Sequence, residues 1–209
     1  MKPTKPKTGN EKDVSRIQTK GYNQDYKRDI IRIIKPKTGK AIMTISRGTK
    51  CLGAYKGSEC KGAYPSGYLR FLQLNGWWGE KRIHLCSGNV KDDGFKVDIR
   101  PETKPDLIAD ARNTKLPAEQ YDCVLIDPPY SLELAKSLYG TDKFYSRIDA
   151  FINEGVRLAK PDGLIISLSY NIPKIAKNCE LIAVWGIYEV PSISSMRCMA
   201  VFRKKGVEL

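Results

Sequence analysis

The sequence lacks the signatures of several protein classes. It has one histidine, and its six cysteines include no CxxC pair. Cys51, Cys60, His84 and Cys86 are spaced unlike any standard zinc site, so we expect no metal. The cysteines are scattered, and Cys123 and others fall within apolar runs. That placement is typical of reduced, buried thiols in a cytoplasmic protein.

Long apolar segments are also missing. No stretch approaches the roughly 18 apolar residues that span a bilayer. The lysine-rich N-terminus has no apolar segment behind it, so we expect no secretory signal. With 209 residues, of which 41% are hydrophobic, the chain is long enough to bury a core as one domain with an extension.

Positive charge is concentrated in the first quarter of the chain. The net charge is +13, and residues 1–50 hold 14 Lys and Arg against 4 Asp and Glu. We predict a basic N-terminal extension (residues 1–60), flexible at first, followed by a folded domain (residues 61–209). A basic extension on a nearly neutral body favours nucleic acid as the partner. The alternative is a solvated segment that only aids solubility.

A short amphipathic helix is predicted within residues 22–34, where apolar side chains recur every four residues. A basic turn follows it at residues 35–39 and offers charge to phosphates. The candidate nucleic-acid contacts in this region are Lys27, Arg28, Arg32, Lys35 and Lys37. Residues 41–46 alternate weakly, as in a strand, and residues 48–67 have the composition of a loop.

Short apolar runs then follow one another, as in strands buried on both faces of a sheet. We predict strands at 82–86, 95–99, 106–110, 122–127, 164–168, 181–188 and 196–203, and helices at 68–74, 131–138, 145–159 and 172–177. The last two strands are joined closely enough to pair antiparallel. We therefore expect an α/β fold with a mainly parallel sheet and an antiparallel edge. His84, inside an apolar strand, is expected to be a buried structural residue.

The most informative stretch is Asp127-Pro128-Pro129-Tyr130, directly after a buried strand. Ligands of open α/β sheets bind at this end of the strands. A carboxylate and a proline carbonyl there can accept hydrogens from an exocyclic amine and free its lone pair, while Tyr130 stacks on the base. The alternative is a turn at a strand end with a surface tyrosine.

Other strand ends offer groups for a cofactor. Gly88 permits close backbone approach in the loop after its strand. Asp98 ends the next strand, where an acid commonly accepts hydrogen bonds from ribose hydroxyls. Asp110 ends a third strand and can accept from an adenine amino group. Each alone is equally compatible with an ordinary loop residue.

Residues 64–203 resemble a class I S-adenosylmethionine-dependent methyltransferase of the amino-methylating group marked by D/N/S-P-P-Y/F. Residues 127–130 match its catalytic motif, residues 85–89 its glycine-containing motif, and residues 167–171 lie where a target-base motif is expected. The resemblance implies a Rossmann-like, seven-stranded sheet and S-adenosylmethionine as cofactor. The implied cofactor-binding residues are Tyr64, Pro65, Cys86, Ser87, Gly88, Asn89, Asp98, Ile99, Asp110, Ala111 and Asp127.

The reaction implied is methyl transfer to an exocyclic amino nitrogen of a nucleic-acid base. Asp at the first position of the motif favours adenine N6 in DNA over cytosine N4. An RNA base or a protein amide is an alternative within the same group. A non-catalytic nucleic-acid-binding or assembly protein that kept the fold is the alternative outside it.

The chain departs from the family pattern in its connections. The first motif lacks a second glycine, and only residues 89–94 separate Gly88 from the next strand. Parallel neighbours normally need a longer crossover, so the first crossover helices are predicted to be shortened or missing. No separate target-recognition domain fits after Tyr130. Target recognition is therefore expected from the N-terminal residues, from loops, or from a second chain, including a possible homo-oligomer.

Overall fold

The computed structural model describes residues 45–52, 64–131, 133, 135–136, 148–189 and 196–206. The strands are β1 (Ser46–Cys51), β2 (Arg82–Leu85), β3 (Phe95–Asp98), β4 (Leu107–Ile108), β5 (Tyr121–Ile126), β6 (Ala159–Ser169), β7 (Cys179–Tyr188) and β8 (Arg197–Lys204). The helices with defined bounds are α1 (Tyr68–Leu74) and α2 (Asp149–Leu158), with a 3-10 turn at Pro101–Thr103. Residues 133, 135 and 136, within the predicted helix at 131–138, are also helical. The predicted flexible arm and the predicted helix at 22–34 lie outside the described residues.

The strands form one sheet in the order β1-β7-β8-β6-β5-β2-β3-β4. β8 is antiparallel to its neighbours β6 and β7, and the other pairs are parallel. The run from β4 through β2 and β5 to β6 has the strand order of a doubly wound α/β fold. The expected fold class, a Rossmann-like and mainly parallel sheet with antiparallel pairing on one side, is confirmed.

The described sheet has eight strands rather than the expected seven. The added strand is β1, which pairs in parallel with β7 in the register Ser46 to Ala183. The prediction of a loop at residues 48–67 is therefore wrong for its first part. The sequence there, rich in small and basic residues, has no apolar alternation because β1 is an edge strand with three exposed residues and none that is fully buried.

β5 is buried on both faces because its side chains alternate between two apolar clusters. Cys123 and Leu125 belong to the cluster that includes α1, whereas Val124 and Ile126 belong to the cluster that includes α2. α2 approaches closely at Gly155, where a Cβ would lie 3.0 Å from Cδ1 of Ile126. The strand that leads into residues 127–130 is thus packed on both sides of the sheet.

The crossovers beside the site are short, as predicted. No helix occurs between β2 and β3, and only the turn Pro101–Thr103 lies between β3 and β4. The predicted helix at 172–177 is wrong: the backbone there is irregular. Ile172 and Ile175 are both more than half exposed, so no apolar face is buried to stabilise a helix. Among the described residues, no helix is long and apolar enough to cross a membrane.

Candidate active site

The candidate site lies where the strand order reverses. β2 and β5 are parallel neighbours, with Leu85 opposite Ile126, and the N–H of Asp127 donates to the carbonyl of Leu85 at 3.3 Å. The chain continues from β2 to β3 on one side and from β5 to β6 on the other. The loops after β2 and β5 therefore diverge, and ligands of open α/β sheets bind in the crevice between such loops.

Asp127 and Tyr130 contact each other directly at this crevice. The Tyr130 hydroxyl donates a hydrogen bond to Oδ1 of Asp127. The Asp127 side chain is only 11% exposed, and Pro128 is buried between the two residues. Since prolines have no N–H, this turn presents carbonyl oxygens and a carboxylate without competing backbone donors.

Arg197, the first residue of β8, completes this group. Its Nη1 donates to the Tyr130 hydroxyl at 2.9 Å and lies 4.0 Å from Oδ2 of Asp127. Its Nη2 donates to Oε1 of Glu189 at 2.7 Å. Because β8 is antiparallel, its first residue reaches the same sheet edge as the last residues of β5 and β6.

The environment of Asp127 shifts its protonation. Burial raises the pKa of Asp127 to about 6, and the negative charge of Glu189 acts in the same direction. The guanidinium of Arg197 and the hydrogen bond from Tyr130 oppose this rise. The carboxylate is therefore largely ionised at neutral pH and takes up a proton under mildly acidic conditions.

A second aromatic ring lies beside Tyr130. The ring centroids of Tyr130 and Tyr170 are 4.8 Å apart and the planes are tilted by 37°. Tyr170 follows β6 within the stretch 167–171 and is 47% exposed. The two rings give the site an aromatic wall next to a buried carboxylate, which suits a flat heterocycle.

The loop after β2 is tied to the end of β3. Cys86 and Gly88 both have positive φ, 58° and 51°. The Gly88 N–H donates to Oδ2 of Asp98 at 2.7 Å, and Arg100 donates to Oδ1 through its backbone N–H at 3.0 Å and its Nε at 3.2 Å. A carboxylate has about four acceptor positions, so one position of Asp98 remains for a ligand.

The other residues predicted on the cofactor side lie around the same sheet edge. Asp110 accepts from the backbone N–H of Arg112 at 3.0 Å and from its Nε at 2.8 Å. Ala111 is buried in the α2-side cluster, whereas Ile99 is 40% exposed. Asn89 is half-buried in the loop after β2, and Ser87 beside it is buried.

Tyr64 lies in a buried polar network. Its hydroxyl is 3.3 Å from Nδ1 of His84, whose Nε2 is 2.8 Å from Oδ2 of Asp92. Arg82 donates to the same Oδ2 through Nε at 3.2 Å. Burial alone would raise the pKa of Asp92, but hydrogen bonds from His84 and Arg82 hold it well below its usual range. His84 is fully buried with a partner at each ring nitrogen, as expected of a structural residue.

The acids predicted at three strand ends all influence the thiol of Cys86, in the loop after β2. Burial raises the pKa of the Cys86 thiol well above its ordinary value, and the negative charges of Asp98, Asp127 and Asp110 add to that rise. Asp98 ends β3, Asp110 follows β4 and Asp127 follows β5, so the three acids lie at the carboxyl ends of strands in the same part of the sheet. Each acid is also paired with an arginine: Asp98 with Arg100, Asp110 with Arg112 and Asp127 with Arg197.

Parts of the predicted site cannot be placed. The candidate nucleic-acid contacts lie outside the described residues: Lys27, Arg28, Arg32, Lys35 and Lys37. Within the described part of the chain, no group of three His, Cys, Asp or Glu side chains is arranged to hold a metal ion. The roles of the placed residues remain predictions.

Sequence reasoning missed Arg197, Glu189 and Asp92. A signal for Arg197 existed: an antiparallel last strand delivers its first residue to the carboxyl edge of the parallel strands, and that residue is an arginine. Glu189 follows β7 at the same edge. Asp92 lies in a polar loop, and nothing in its neighbours indicates that it contacts His84.

Comparison with known proteins gives structural neighbours only. No protein-family model matches the chain, and no curated protein matches it. TrmN from Thermus thermophilus superposes with a TM-score of 0.46 at 16% identity, over 65% of this chain and 47% of TrmN. The chain thus spans about half the length of TrmN. The protein yhhF from Escherichia coli, assigned as a methyltransferase, gives a TM-score of 0.46 at 12% identity, over 74% of this chain and 96% of that one.

Proposed function

We propose that this chain transfers a methyl group from S-adenosylmethionine to an exocyclic amino nitrogen of a nucleic-acid base, with adenine N6 in DNA as the first candidate. The observation that carries the proposal is the buried carboxylate of Asp127 at the switch point of the sheet, beside the rings of Tyr130 and Tyr170.

The carboxylate of Asp127 can raise the nucleophilicity of an aromatic amine. The lone pair of such an amine is delocalised into the ring, so the nitrogen is a poor nucleophile. Asp127 accepts a hydrogen bond from the amine and favours a pyramidal nitrogen, whose lone pair is available. The Tyr130 hydroxyl occupies one acceptor position of Asp127, and in the proposed complex the amine takes that position.

The residues around the loop after β2 fit the methyl donor. The backbone at Gly88 borders the crevice, Asp98 keeps one acceptor position for a ribose hydroxyl, and Asp110 can accept from an adenine amine. S-adenosylmethionine supplies the methyl: a nitrogen–carbon bond forms, the carbon–sulfur bond breaks with its electron pair staying on sulfur, and the amine loses one proton.

The site can take that proton. With a pKa of about 6, Asp127 is ionised at neutral pH yet basic enough to accept the proton before it passes to solvent. The Asp-Pro-Pro-Tyr motif favours adenine by its resemblance to the amino-methylating group. The basic residues at 1–50 supply charge for a polyanion.

A second candidate, a nucleic-acid-binding protein without catalysis, is favoured by one observation. Asp98 and Asp110 are both already paired with arginines, Arg100 and Arg112. Asp98 is only 4% exposed, which limits its access to a cofactor. Calorimetry with S-adenosylmethionine separates the two: binding in the micromolar range or tighter excludes the second candidate.

The experiment that tests the proposal measures transfer of labelled methyl to DNA and to RNA, followed by mass spectrometry of the nucleosides. Asp127→Ala should abolish transfer and leave the fold intact, which thermal unfolding would check. Asp122→Ala is the matched control, since Asp122 lies within β5, the strand that Asp127 follows, is 34% exposed and pairs with Lys160. Cofactor binding without transfer to DNA or RNA would refute the proposal.

A further inference from the structure

The Tyr130 hydroxyl forms hydrogen bonds with both an acceptor and a donor of the site. It donates to Oδ1 of Asp127 and at the same time accepts from Nη1 of Arg197 at 2.9 Å. Behind it, Nη1 of Arg197 and Oδ2 of Asp127 are 4.0 Å apart. A fixed cationic donor thus stands beside a fixed anionic acceptor, and a small group that is both donor and acceptor bridges them.

Arg197 is held in place by more than this hydroxyl. Its backbone is fixed in the sheet opposite Ile187. Its Nη2 donates to Glu189 at 2.7 Å, and its guanidinium lies 5.6 Å from the centroid of the Tyr130 ring. The side chain is 13% exposed. An arginine anchored in this way keeps the direction of its N–H groups and remains charged at any working pH.

We infer that Arg197 and Asp127 together select the target base, because they recognise an amine that lies next to a hydrogen-bond acceptor. The inference rests on the proposed function. Asp127 accepts from the amine, and Arg197 donates to the neighbouring acceptor. On the Watson–Crick edge, adenine offers this pair as N6 and N1, and cytosine as N4 and N3. On the same edge, guanine and thymine present a carbonyl beside a ring N–H, so their carbonyl would face the acceptor Asp127 and their N–H would face the donor Arg197.

The Tyr130 hydroxyl holds this place until the substrate arrives. A buried carboxylate and guanidinium left without partners would be costly, and the hydroxyl satisfies both. When the base enters, its own donor and acceptor replace the two hydrogen bonds of the hydroxyl. The Tyr130 ring is then free to stack on the base together with Tyr170.

The test removes the base acceptor and the arginine in turn. A DNA oligonucleotide that the wild-type chain methylates is prepared with 1-deazaadenine at the target, and a matched oligonucleotide carries 3-deazaadenine, which keeps N1. Wild-type kcat/KM should fall about 10- to 100-fold with 1-deazaadenine, the usual effect of losing a hydrogen bond to a charged group. It should fall much less with 3-deazaadenine.

Arg197→Met should lose a similar factor on adenine and show no further loss with 1-deazaadenine, because the contact is already absent. Arg197→Lys should recover part of the discrimination, and thermal unfolding of both variants confirms that they are folded. Equal losses on the two deaza substrates, or discrimination that survives in Arg197→Met, would overturn the inference alone. Absence of wild-type transfer to adenine or cytosine in DNA and in RNA would overturn the proposed function and this inference together.

Discussion

The backbone N–H of Gly88 donates a 2.7 Å hydrogen bond to Oδ2 of Asp98, which joins the loop after β2 to the end of β3. This contact takes over part of the positioning that a crossover helix would otherwise provide. The loop between the strands is short, and the carboxylate fixes its position directly. Asp98 therefore stabilises the structure of the site, in addition to its proposed contact with the cofactor.

Asp98→Asn is expected to lower both cofactor affinity and stability. An amide offers weaker acceptors to Gly88 and removes the charge that faces Arg100 in a buried setting. We expect a stability loss of about 2–4 kcal/mol and cofactor binding at least about tenfold weaker. Denaturant unfolding and calorimetry measure the two effects. Asp110→Asn is the comparison, since the Asp110 side chain is 36% exposed: it should weaken binding with little loss of stability.

The rate of methyl transfer should follow the ionisation of Asp127. Only the carboxylate accepts from the amine, and its pKa is about 6. We expect kcat/KM to rise about tenfold per pH unit below pH 6 and to level off above pH 7. A rate profile flat from pH 5 to pH 8 would contradict this role.

The raised pKa of Asp127 also makes the stability of the fold depend on pH, in a direction that can be predicted. An unfolded Asp has a pKa near 3.9, so between about pH 4 and pH 6 the folded chain binds a proton that the unfolded chain does not. The contribution of Asp127 to stability therefore falls as pH rises through this window. Asp127→Asn should remove that fall, which unfolding curves at several pH values would show.

In the polar network that contains Tyr64 and His84, Asp92 should contribute to stability, whereas its neighbour Asp93 should not. Asp92 is 11% exposed and contacts both His84 and Arg82, whereas Asp93 is 87% exposed although it also pairs with Arg82. Asp92→Asn should cost about 2–4 kcal/mol, and Asp93→Asn about 0.5 kcal/mol or less. Similar costs for the two, measured by denaturant unfolding, would argue against a buried network.

β1 should behave as part of the folded sheet. A Cβ at Gly48 would lie 2.8 Å from Cζ3 of Trp185, whose indole also donates to Ser46 Oγ at 3.2 Å. Gly48→Ala should therefore cost about 1–3 kcal/mol through forced repacking. Arg47→Ala, at an exposed position on the same strand, should stay within about 0.5 kcal/mol. Unchanged stability in Gly48→Ala would show that β1 is not packed on Trp185.

The central strands were predictable because burial on both faces leaves an uninterrupted apolar run. Val124, Leu125 and Ile126 show this most clearly, and the polar residue after each such run lies at the same sheet edge for a topological reason. It could therefore be predicted from the sequence that Asp98, Asp110 and Asp127 lie at the same end of the parallel strands. The pattern carries this information because sheet geometry allows few alternatives.

The remaining features depend on contacts between distant residues. β1 has little apolar alternation, and its place is set by Trp185 and β7. The isoleucines at 172 and 175 have the spacing of a helical face, but no surface formed by the described residues covers them. Arg197 reaches Asp127 only because β8 runs antiparallel, and the contact between Asp92 and His84 depends on how a short loop folds back.

The position of β8 also sets the order in which the site can form. β8 is made after β6 and β7, yet it lies between them. During synthesis those two strands keep open edges, which are prone to wrong pairing, until β8 is inserted. The same insertion brings Arg197 to Asp127. Closure of the sheet and completion of the site are therefore a single late folding event, and a growing chain that ends before residue 197 has neither.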